Sequence, residues 1–191
     1  QLQTLNGLLT DAETKNRQSE AQIADLGKRL NSALAQRVQE LTRYRSEFFG
    51  RLRQILSQRS DILVVGDRFV FQAEVLFPKA QATLNPEGQA EMMKLADALK
   101  QLEREIPPDI AWVLRVDGHT DVDPIQSPQF KSNWELSSAR AIAVVNFLIA
   151  NGVSPQHLVA AGFGEFQPID PGSTEEAKSR NRRIELKLTE R

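Results

Sequence analysis

The amino-terminal third of the chain is constrained to form one long helix. The first 58 residues contain no proline and only three glycines, and apolar residues recur at spacings of three and four, the heptad pattern of a coiled coil. Polar Asn16 and Ser19 interrupt the stripe. Its apolar members are Leu2, Leu5, Leu9, Ala12, Ile23, Leu26 and Leu30, followed after a phase slip by Leu34, Val38, Leu41, Phe48, Leu52 and Ile55. We therefore expect a coiled-coil stalk over residues 1–60.

A single helix of this length cannot bury its own apolar stripe, so it requires a partner helix. This partner comes from a second copy or from a different chain. We expect a second copy, which makes the protein a homodimer through this helix, through the rest of the chain, or through both. A solvated stalk and an antiparallel hairpin within one chain are the alternatives. The arginines between residues 37 and 59 indicate a solvated helix face in preference to an anionic membrane surface.

After Ser60 the sequence changes to short apolar runs separated by turn residues, which indicates a second domain over residues 61–191. The predicted elements are strands over 62–65 and 68–76 joined by Gly66-Asp67, a helix over 85–105 stopped by Pro107-Pro108, a strand over 111–116, a helix over 132–150, and strands over 158–163 and 182–188. The order β-β-α-β-α-β-β predicts an α+β sandwich with helices on one face of a mixed sheet.

Composition excludes several classes of protein. Residues 1–60 carry ten Lys/Arg against six Asp/Glu, whereas residues 61–191 carry fourteen against nineteen. Because the predicted globular part is acidic, we expect no nucleic-acid partner. The absence of cysteine excludes disulfides and thiolate chemistry. No run of about 18 apolar residues occurs and residue 1 is Gln, so we expect a membrane anchor upstream of residue 1.

A cation, Arg140, interrupts the apolar stripe of the helix predicted over residues 132–150. Apolar side chains at helical periodicity define a core-facing side, and Arg140 lies within it. A guanidinium there must reach past the core edge or meet an anion, because an unpaired buried charge is costly. Asn133 and Ser137 share this side near the helix start, where free N–H groups and the helix dipole favour a carboxylate.

The loop after the third predicted strand supplies the opposite charge. Asp121 with Arg140 presents both signs close together, which suits a ligand that carries an ammonium and a carboxylate on one carbon. The alternatives are a plain Asp121–Arg140 salt bridge and a metal held by His119, Asp121 and Asp123. No nucleophile elbow or phosphate loop occurs, and Thr120 between His119 and Asp121 cannot assemble a triad on an extended segment, so we expect no enzyme.

A second cation precedes the last predicted strand. If that strand begins at residue 182, Arg182 shares one face with the apolar residues that alternate after it. Two cations at the edge of one core favour an anionic ligand. A bridge from Arg182 to Asp117 or Asp123 is the alternative.

Four motifs occur in order: GHTD at 118–121, SNWELSSARA at 132–141, GFGEFQP at 162–168 and NRRIELKL at 181–188. Together they resemble the OmpA C-terminal-like peptidoglycan-binding domain over about residues 62–190. The SNWELS motif at 132–137 and the long loop before it are most similar to the MotB branch. The resemblance implies a periplasmic, non-enzymatic domain that grips the peptide stem of peptidoglycan through diaminopimelate, with no metal or organic cofactor.

The resemblance also implies residue roles. Arg140 is expected to hold the ligand carboxylate and Asp121 its ammonium, completed by Asn133 and Arg182, with Thr120, Ser137 and Asn181 as supporting residues. Many members carry an Asp after the Phe that ends the early strand. Here Pro78 follows Phe77, which makes Asp123 a candidate for that ammonium contact. The glycine usual before the NRR motif is replaced by residues 175–179.

We therefore expect a wall-binding domain on a stalk, joining an inner-membrane element to the cell wall of a Gram-negative-type envelope. The alternative, from a different class, is a scaffold or dimerisation module whose helices recruit protein partners in the periplasm.

Overall fold

The computed structural model describes residues 2–56, 62–106, 111–125 and 127–190. The chain divides into two compact units, Gln1–Arg43 and Tyr44–Arg191. The predicted domain boundary between residues 60 and 61 and the predicted helix stop at Pro107-Pro108 lie outside the described residues. None of the described helices is both long enough and apolar enough to cross a lipid bilayer.

Helix α1 (Leu2–Leu56) is the long helix that the heptad pattern predicts. Seven large apolar residues of the stripe are exposed, with fractions between 54% for Leu34 and 81% for Leu2: Leu2, Leu9, Ile23, Leu26, Leu30, Leu34 and Val38. Residues 57–60, which the prediction included in the stalk, lie outside the described part of the chain. The partner helix stays a prediction.

The second unit contains a mixed sheet with the strand order β1-β2-β5-β3-β4. Its strands are β1 (Ile62–Val65), β2 (Arg68–Gln72), β3 (Trp112–His119), β4 (Leu158–Gly162) and β5 (Arg183–Glu190). β3 and β4 are parallel, and the other neighbours are antiparallel. Gly66, with a φ of 59°, forms the predicted turn between β1 and β2. The predicted α+β class with a mixed sheet is confirmed.

Two long helices pack on this sheet: α3 (Pro86–Glu105) and α4 (Asn133–Ala150). Both begin at the predicted capping residues. Asn85 Oδ1 accepts from the Gly88 N–H at 2.7 Å, and Ser132 Oγ accepts from the Glu135 N–H at 3.2 Å. The core between helices and sheet contains Phe69, Phe71, Met92, Leu95, Leu99, Leu114, Val116, Val144, Leu148, Ile184 and Leu186.

Helix α4 approaches β3 and β4 closely at two glycines. A Cβ placed on Gly118 would lie 2.1 Å from the backbone oxygen of Ser137, and one placed on Gly162 would lie 2.2 Å from Ser138 Oγ. Only glycine leaves room for this packing. The first half of α4, which carries Asn133, is therefore held beside the loop that follows β3.

The prediction that β2 continues to Leu76 is wrong. The chain turns into a short helix, α2 (Ala73–Leu76), and both end residues of this helix are buried. A strand would point residues three apart to opposite faces, whereas one helical turn places both in the core. The turn also leaves Glu74 exposed.

The prediction that the last strand begins at Arg182 is also wrong. A second short helix, α5 (Glu175–Asn181), precedes that strand, and Arg182 is the residue that ends the helix. β5 begins one residue later. On the face of β5 opposite the apolar core residues, Arg183 and Glu185 are both buried and paired at 2.6 Å, so each charge offsets the desolvation of the other.

Candidate functional site

A cleft of about 560 Å³ lies where α2, α4, α5 and the loop after β3 meet. Most of the residues predicted for the site line it: Thr120, Asp121, Asp123, Asn133, Arg140 and Arg182. Ala73, Glu74, Phe77, Lys79, Ala80, Pro124, Ile125, Leu136 and Glu175 complete the lining. The fold therefore brings together the polar groups that the sequence places in separate segments.

Arg140 is buried in the apolar stripe of α4, with 5% of its surface exposed. Its Nε donates to the Gln81 carbonyl oxygen at 2.9 Å, and its guanidinium lies over the Phe77 ring at 5.2 Å. Burial lowers the pKa of Arg140 to about 10. Asp121 pairs with another residue, and within the described chain no carboxylate oxygen lies within 4.0 Å of Arg140. The alternative of a plain Asp121–Arg140 salt bridge is therefore wrong.

The Gln81 carbonyl, which accepts from Arg140, follows a residue with an unusual backbone conformation. Ala80, one residue before Gln81, has a φ of 57°, in the left-handed region that alanine rarely adopts. Such a conformation costs about 1–2 kcal/mol. The surrounding structure therefore holds this segment of the cleft wall in place at a cost to stability.

Asp121 is paired with Arg182. Its Oδ2 accepts from Arg182 Nη1 at 2.5 Å, and its Oδ1 accepts from the backbone N–H of Asp123 at 3.1 Å. The Arg182 guanidinium also donates to Glu74 and, at 2.6 Å, to Glu175. The predicted alternative bridge from Arg182 thus exists, but to these three carboxylates and not to Asp117 or Asp123.

Arg182 is fixed by its acidic neighbours. Burial alone would lower its pKa, but the hydrogen bonds to Asp121, Glu74 and Glu175 outweigh burial and raise the pKa above its ordinary value. A guanidinium with three carboxylate partners has little capacity left for a ligand anion. Its geometry suits the positioning of Asp121, whereas its predicted contact with the ligand stays a prediction.

Asn133 and Thr120 shape the loop after β3. Asn133 Nδ2 donates to the backbone oxygens of Asp121 at 3.3 Å and Asp123 at 3.0 Å. Thr120 Oγ1 donates to the Asp121 oxygen at 2.9 Å, and the Thr120 N–H donates to the Gly164 oxygen at 2.9 Å. The loop that presents the Asp121 carboxylate is therefore tied to α4 and to the segment after β4.

Ser137 and Asn181, predicted as supporting residues, lie behind the cleft lining. Ser137 Oγ accepts from the Gly164 N–H at 3.0 Å. Asn181 accepts from the N–H groups of Ile169 at 2.9 Å and Asp170 at 3.0 Å. Both side chains fix loops around the cleft, which is compatible with the supporting role that was predicted for them.

The predicted metal alternative does not form as stated. His119 lies on β3, where it is 3% exposed and stacks on Phe163 at 5.0 Å. Asp123 is paired with Lys178 at 2.8 Å on the cleft side. His119, Asp121 and Asp123 are therefore not gathered into one ligand set.

Instead, ligand atoms of Asp117, His119 and Glu185 lie within 4.8 Å of one another. Arg115 binds Asp117 through two nitrogens at 2.7–2.9 Å, and Glu185 accepts from Arg68 and Arg183 at 2.6 Å each. The side chains Arg68, Arg115 and Arg183 therefore already neutralise both carboxylates, which disfavours a cation at this position.

Three of the cleft residues that were not predicted contact the two arginines: Phe77 lies against Arg140, and Glu74 and Glu175 accept from Arg182. Glu74 and Glu175 lie on the two short helices that periodicity does not reveal. A signal for α5 is present, because Thr174 followed by two glutamates is a typical helix start and its side chain accepts from the Ala177 N–H. No comparable signal marks α2.

Residues 76–182 match the OmpA family. Motility protein B of Bacillus subtilis (strain 168) is 33% identical over 118 residues, which cover 61% of this chain and 42% of that protein. A MotB-like protein from Desulfovibrio vulgaris superposes with a TM-score of 0.68 at 27% identity, covering 80% of this chain and 98% of the other. The cell wall anchor of the T6SS from Pseudomonas aeruginosa superposes with a TM-score of 0.64 at 26% identity, covering 75% of this chain and 97% of the other. The chain spans about half the length of the curated relatives it matches.

Proposed function

Because the chain belongs to the OmpA family, we propose that its second unit binds peptidoglycan non-covalently and anchors an envelope protein to the cell wall. The similarity to a motility protein B and to a cell wall anchor supports this function. The domain then works in the periplasm, where peptidoglycan lies, tethered to the inner membrane by a segment upstream of residue 1. The function is binding and not catalysis.

The observation that carries the proposal is the buried Arg140 guanidinium at the cleft wall, to which the described residues offer no carboxylate. Burying a cation without an anion lowers the stability of the fold, so a buried guanidinium without an anionic partner indicates a binding role. A ligand carboxylate in the cleft would offset this cost. Each charge-assisted hydrogen bond formed there contributes roughly 1.5–3 kcal/mol.

Diaminopimelate fits the charges around Arg140. Its free end carries an ammonium and a carboxylate on one carbon, so a carboxylate on Arg140 brings the ammonium towards the acidic part of the lining. Asp121 is the first candidate to accept from this ammonium, and Glu74 on α2 is a second. Glu74 lines the same cleft as Arg140, so it can supply the charge that the family's usual Asp would provide. Asp123 is less suited than Asp121, since its side chain is 60% exposed, against 10% for Asp121.

Co-sedimentation with purified sacculi tests this proposal. The chain is expected to sediment with diaminopimelate-type sacculi and not with lysine-type sacculi, whose stems lack the second carboxylate. Arg140→Ala and Asp121→Asn are each expected to abolish sedimentation, with Arg104→Ala on the exposed side of α3 as the matched control. Equal sedimentation with both types of sacculi, or retention of binding by Arg140→Ala with a large loss of stability, would contradict the proposed site.

We also propose that the chain is a parallel homodimer through α1. In the heptad frame that begins at Leu2, Asn16 takes an a position, and Lys15 and Glu20 take the flanking g and e positions. A polar Asn at a favours a two-stranded coil in register, and opposite charges at g and e pair between parallel copies. The exposed stripe on α1 supports a second copy as its partner.

A further inference from the structure

Two aromatic side chains lie exposed beside the cleft without forming part of its lining. Trp134 on the first turn of α4 is 49% exposed, and Phe166 in the segment after β4 is 62% exposed. Their rings stack with centroids 5.4 Å apart and planes inclined by 28°. Neighbouring exposed aromatic rings are unusual on a soluble domain and mark interaction sites.

The segment after β4 supports the aromatic pair. Gly164 has a φ of 56°, and a Cβ placed on it would lie 3.5 Å from the Phe166 ring and 3.6 Å from the Trp134 backbone nitrogen. This glycine therefore lies beneath both aromatic residues. Ser137 Oγ accepts from its N–H at 3.0 Å, so the two rings are preorganised against α4.

The same segment joins the aromatic pair to the cleft. Trp134 follows Asn133, which lines the cleft. The Gly164 oxygen accepts from the N–H of Thr120, another lining residue, at 2.9 Å. The aromatic pair is therefore connected through the backbone to two residues of the cleft lining, and lies outside the cleft itself.

We propose that Trp134 and Phe166 bind the glycan strand of peptidoglycan, so that the domain recognises sugar and peptide stem together. The inference rests on the proposed function. Two stem residues separate diaminopimelate from the muramic acid, and an extended chain covers roughly 3.3–3.6 Å per residue, which places the sugar roughly 10 Å from the cleft. A pyranose ring presents a face of C–H groups that suits stacking on flat aromatic rings, while its hydroxyl groups remain in water.

Two soluble fragments separate this inference from the proposed function. Isothermal titration of the full chain with the free tripeptide ending in diaminopimelate measures the cleft alone. Titration with the same tripeptide attached to its disaccharide measures the affinity of the cleft together with that of any contact to the sugars. The wild-type chain is expected to bind the disaccharide form about 2- to 12-fold more tightly.

Trp134→Ala and Phe166→Ala are each expected to reduce this advantage without changing the affinity for the free tripeptide. Trp134→Phe, which keeps a ring, should retain part of it. Val159→Ala removes an exposed apolar side chain from β4 and serves as the matched control. The circular dichroism of each variant establishes that it is folded.

Equal wild-type affinities for the two fragments would overturn the inference, and so would a Trp134→Ala variant that keeps the full sugar advantage. A loss of tripeptide affinity in Trp134→Ala would assign the pair to the stem and not to the glycan. Failure of the proposed function has a different signature, since the wild type would then not bind the tripeptide at all, or Arg140→Ala would bind it equally well.

Discussion

Arg182 Nη1 lies 2.5 Å from Asp121 Oδ2, which joins the end of α5 to the loop after β3. The same guanidinium binds Glu74 on α2 and Glu175 on α5. One cation therefore fixes acidic groups from three segments of the cleft. Without it, these carboxylates would repel one another and the Asp121 side chain would lose its orientation.

Arg182→Gln is therefore expected to weaken binding of a diaminopimelate tripeptide by about tenfold or more. Titration calorimetry measures this change, and a thermal melt should show a lower Tm. Glu176→Gln is the control, because Glu176 is exposed on the same helix and is not part of the cleft lining. Unchanged affinity in Arg182→Gln would show that Asp121 does not depend on this cation.

Arg140→Met is expected to leave the thermal stability unchanged or to raise it, while binding of the tripeptide is lost. The buried guanidinium in the unliganded protein has one carbonyl partner and an aromatic ring but no anion. Replacing such a charge by an apolar side chain of similar length removes its desolvation cost. Differential scanning calorimetry and titration on the same preparation measure both effects. A strongly destabilised variant would show that Arg140 serves the fold.

Stability is expected to fall in mild acid because of His119. Burial, reinforced by the charge of Arg183, lowers the pKa of His119 to about 4, against about 6.5 in the unfolded chain. Between these values the unfolded chain binds more protons than the folded chain. The stability due to neutral His119 is therefore complete above pH 6.5 and is lost as the pH falls towards 4.

The loss should reach about 3 kcal/mol near pH 4. Urea unfolding between pH 7 and 4 measures it. His119→Phe, which keeps a ring against Phe163, should show a smaller decrease over the same interval. Parallel curves for the wild type and the variant would assign the acid sensitivity to other groups.

Gly118→Ala is expected to destabilise the domain by about 3 kcal/mol or more, because the added methyl group meets the Ser137 backbone and α4 must move. The shift also carries Arg140 away from Asp121, so tripeptide affinity should fall. In the control Gly7→Ala, nothing lies within 4 Å of the new Cβ. Denaturant unfolding of both variants provides the comparison, and a neutral Gly118→Ala would show that α4 is free to move.

Leu26→Asp is expected to convert the full chain from a dimer to a monomer, because it places a charge at a d position of the proposed coiled coil. Sedimentation velocity measures the change. Asp11→Lys, a charge change at an exposed c position of the same helix, is the control. A wild-type chain that sediments as a monomer at micromolar concentration would contradict the proposed dimer.

Periodicity and capping predicted the parts of the fold that bury a continuous apolar face. Asn85 and Ser132 begin α3 and α4 as predicted, and Arg140 lies on the buried side of α4. Such signals are repeated over several turns of helix, so an error at one position does not hide them.

The two short helices, α2 and α5, were not predicted. Because the prediction lacked α5, it assigned Arg182 to the last strand and not to the end of that helix. A four-residue helix such as α2 contains too few residues to show a helical period, so alternation carried the strand prediction through to Leu76. In the same way, alternation counted back from Leu188 assigned Arg182 to β5. Glu74 was missed for this reason, whereas Glu175 lies on α5, whose start at Thr174 is marked by a local capping pattern.

The tight seating of α4 on β3 at Gly118 determines how a bound peptide could leave the cleft. Because Gly118 holds this wall against the sheet, any opening would have to come from the facing segments, residues 77–81 and 120–125. It would break the hydrogen bonds that tie them to Arg140 and Asn133 on α4. If the proposed tether pulls on the domain, we expect release to begin with these hydrogen bonds while the helix stays in place. The lifetime of the proposed anchor under load would then be set by these bonds, and not by the core.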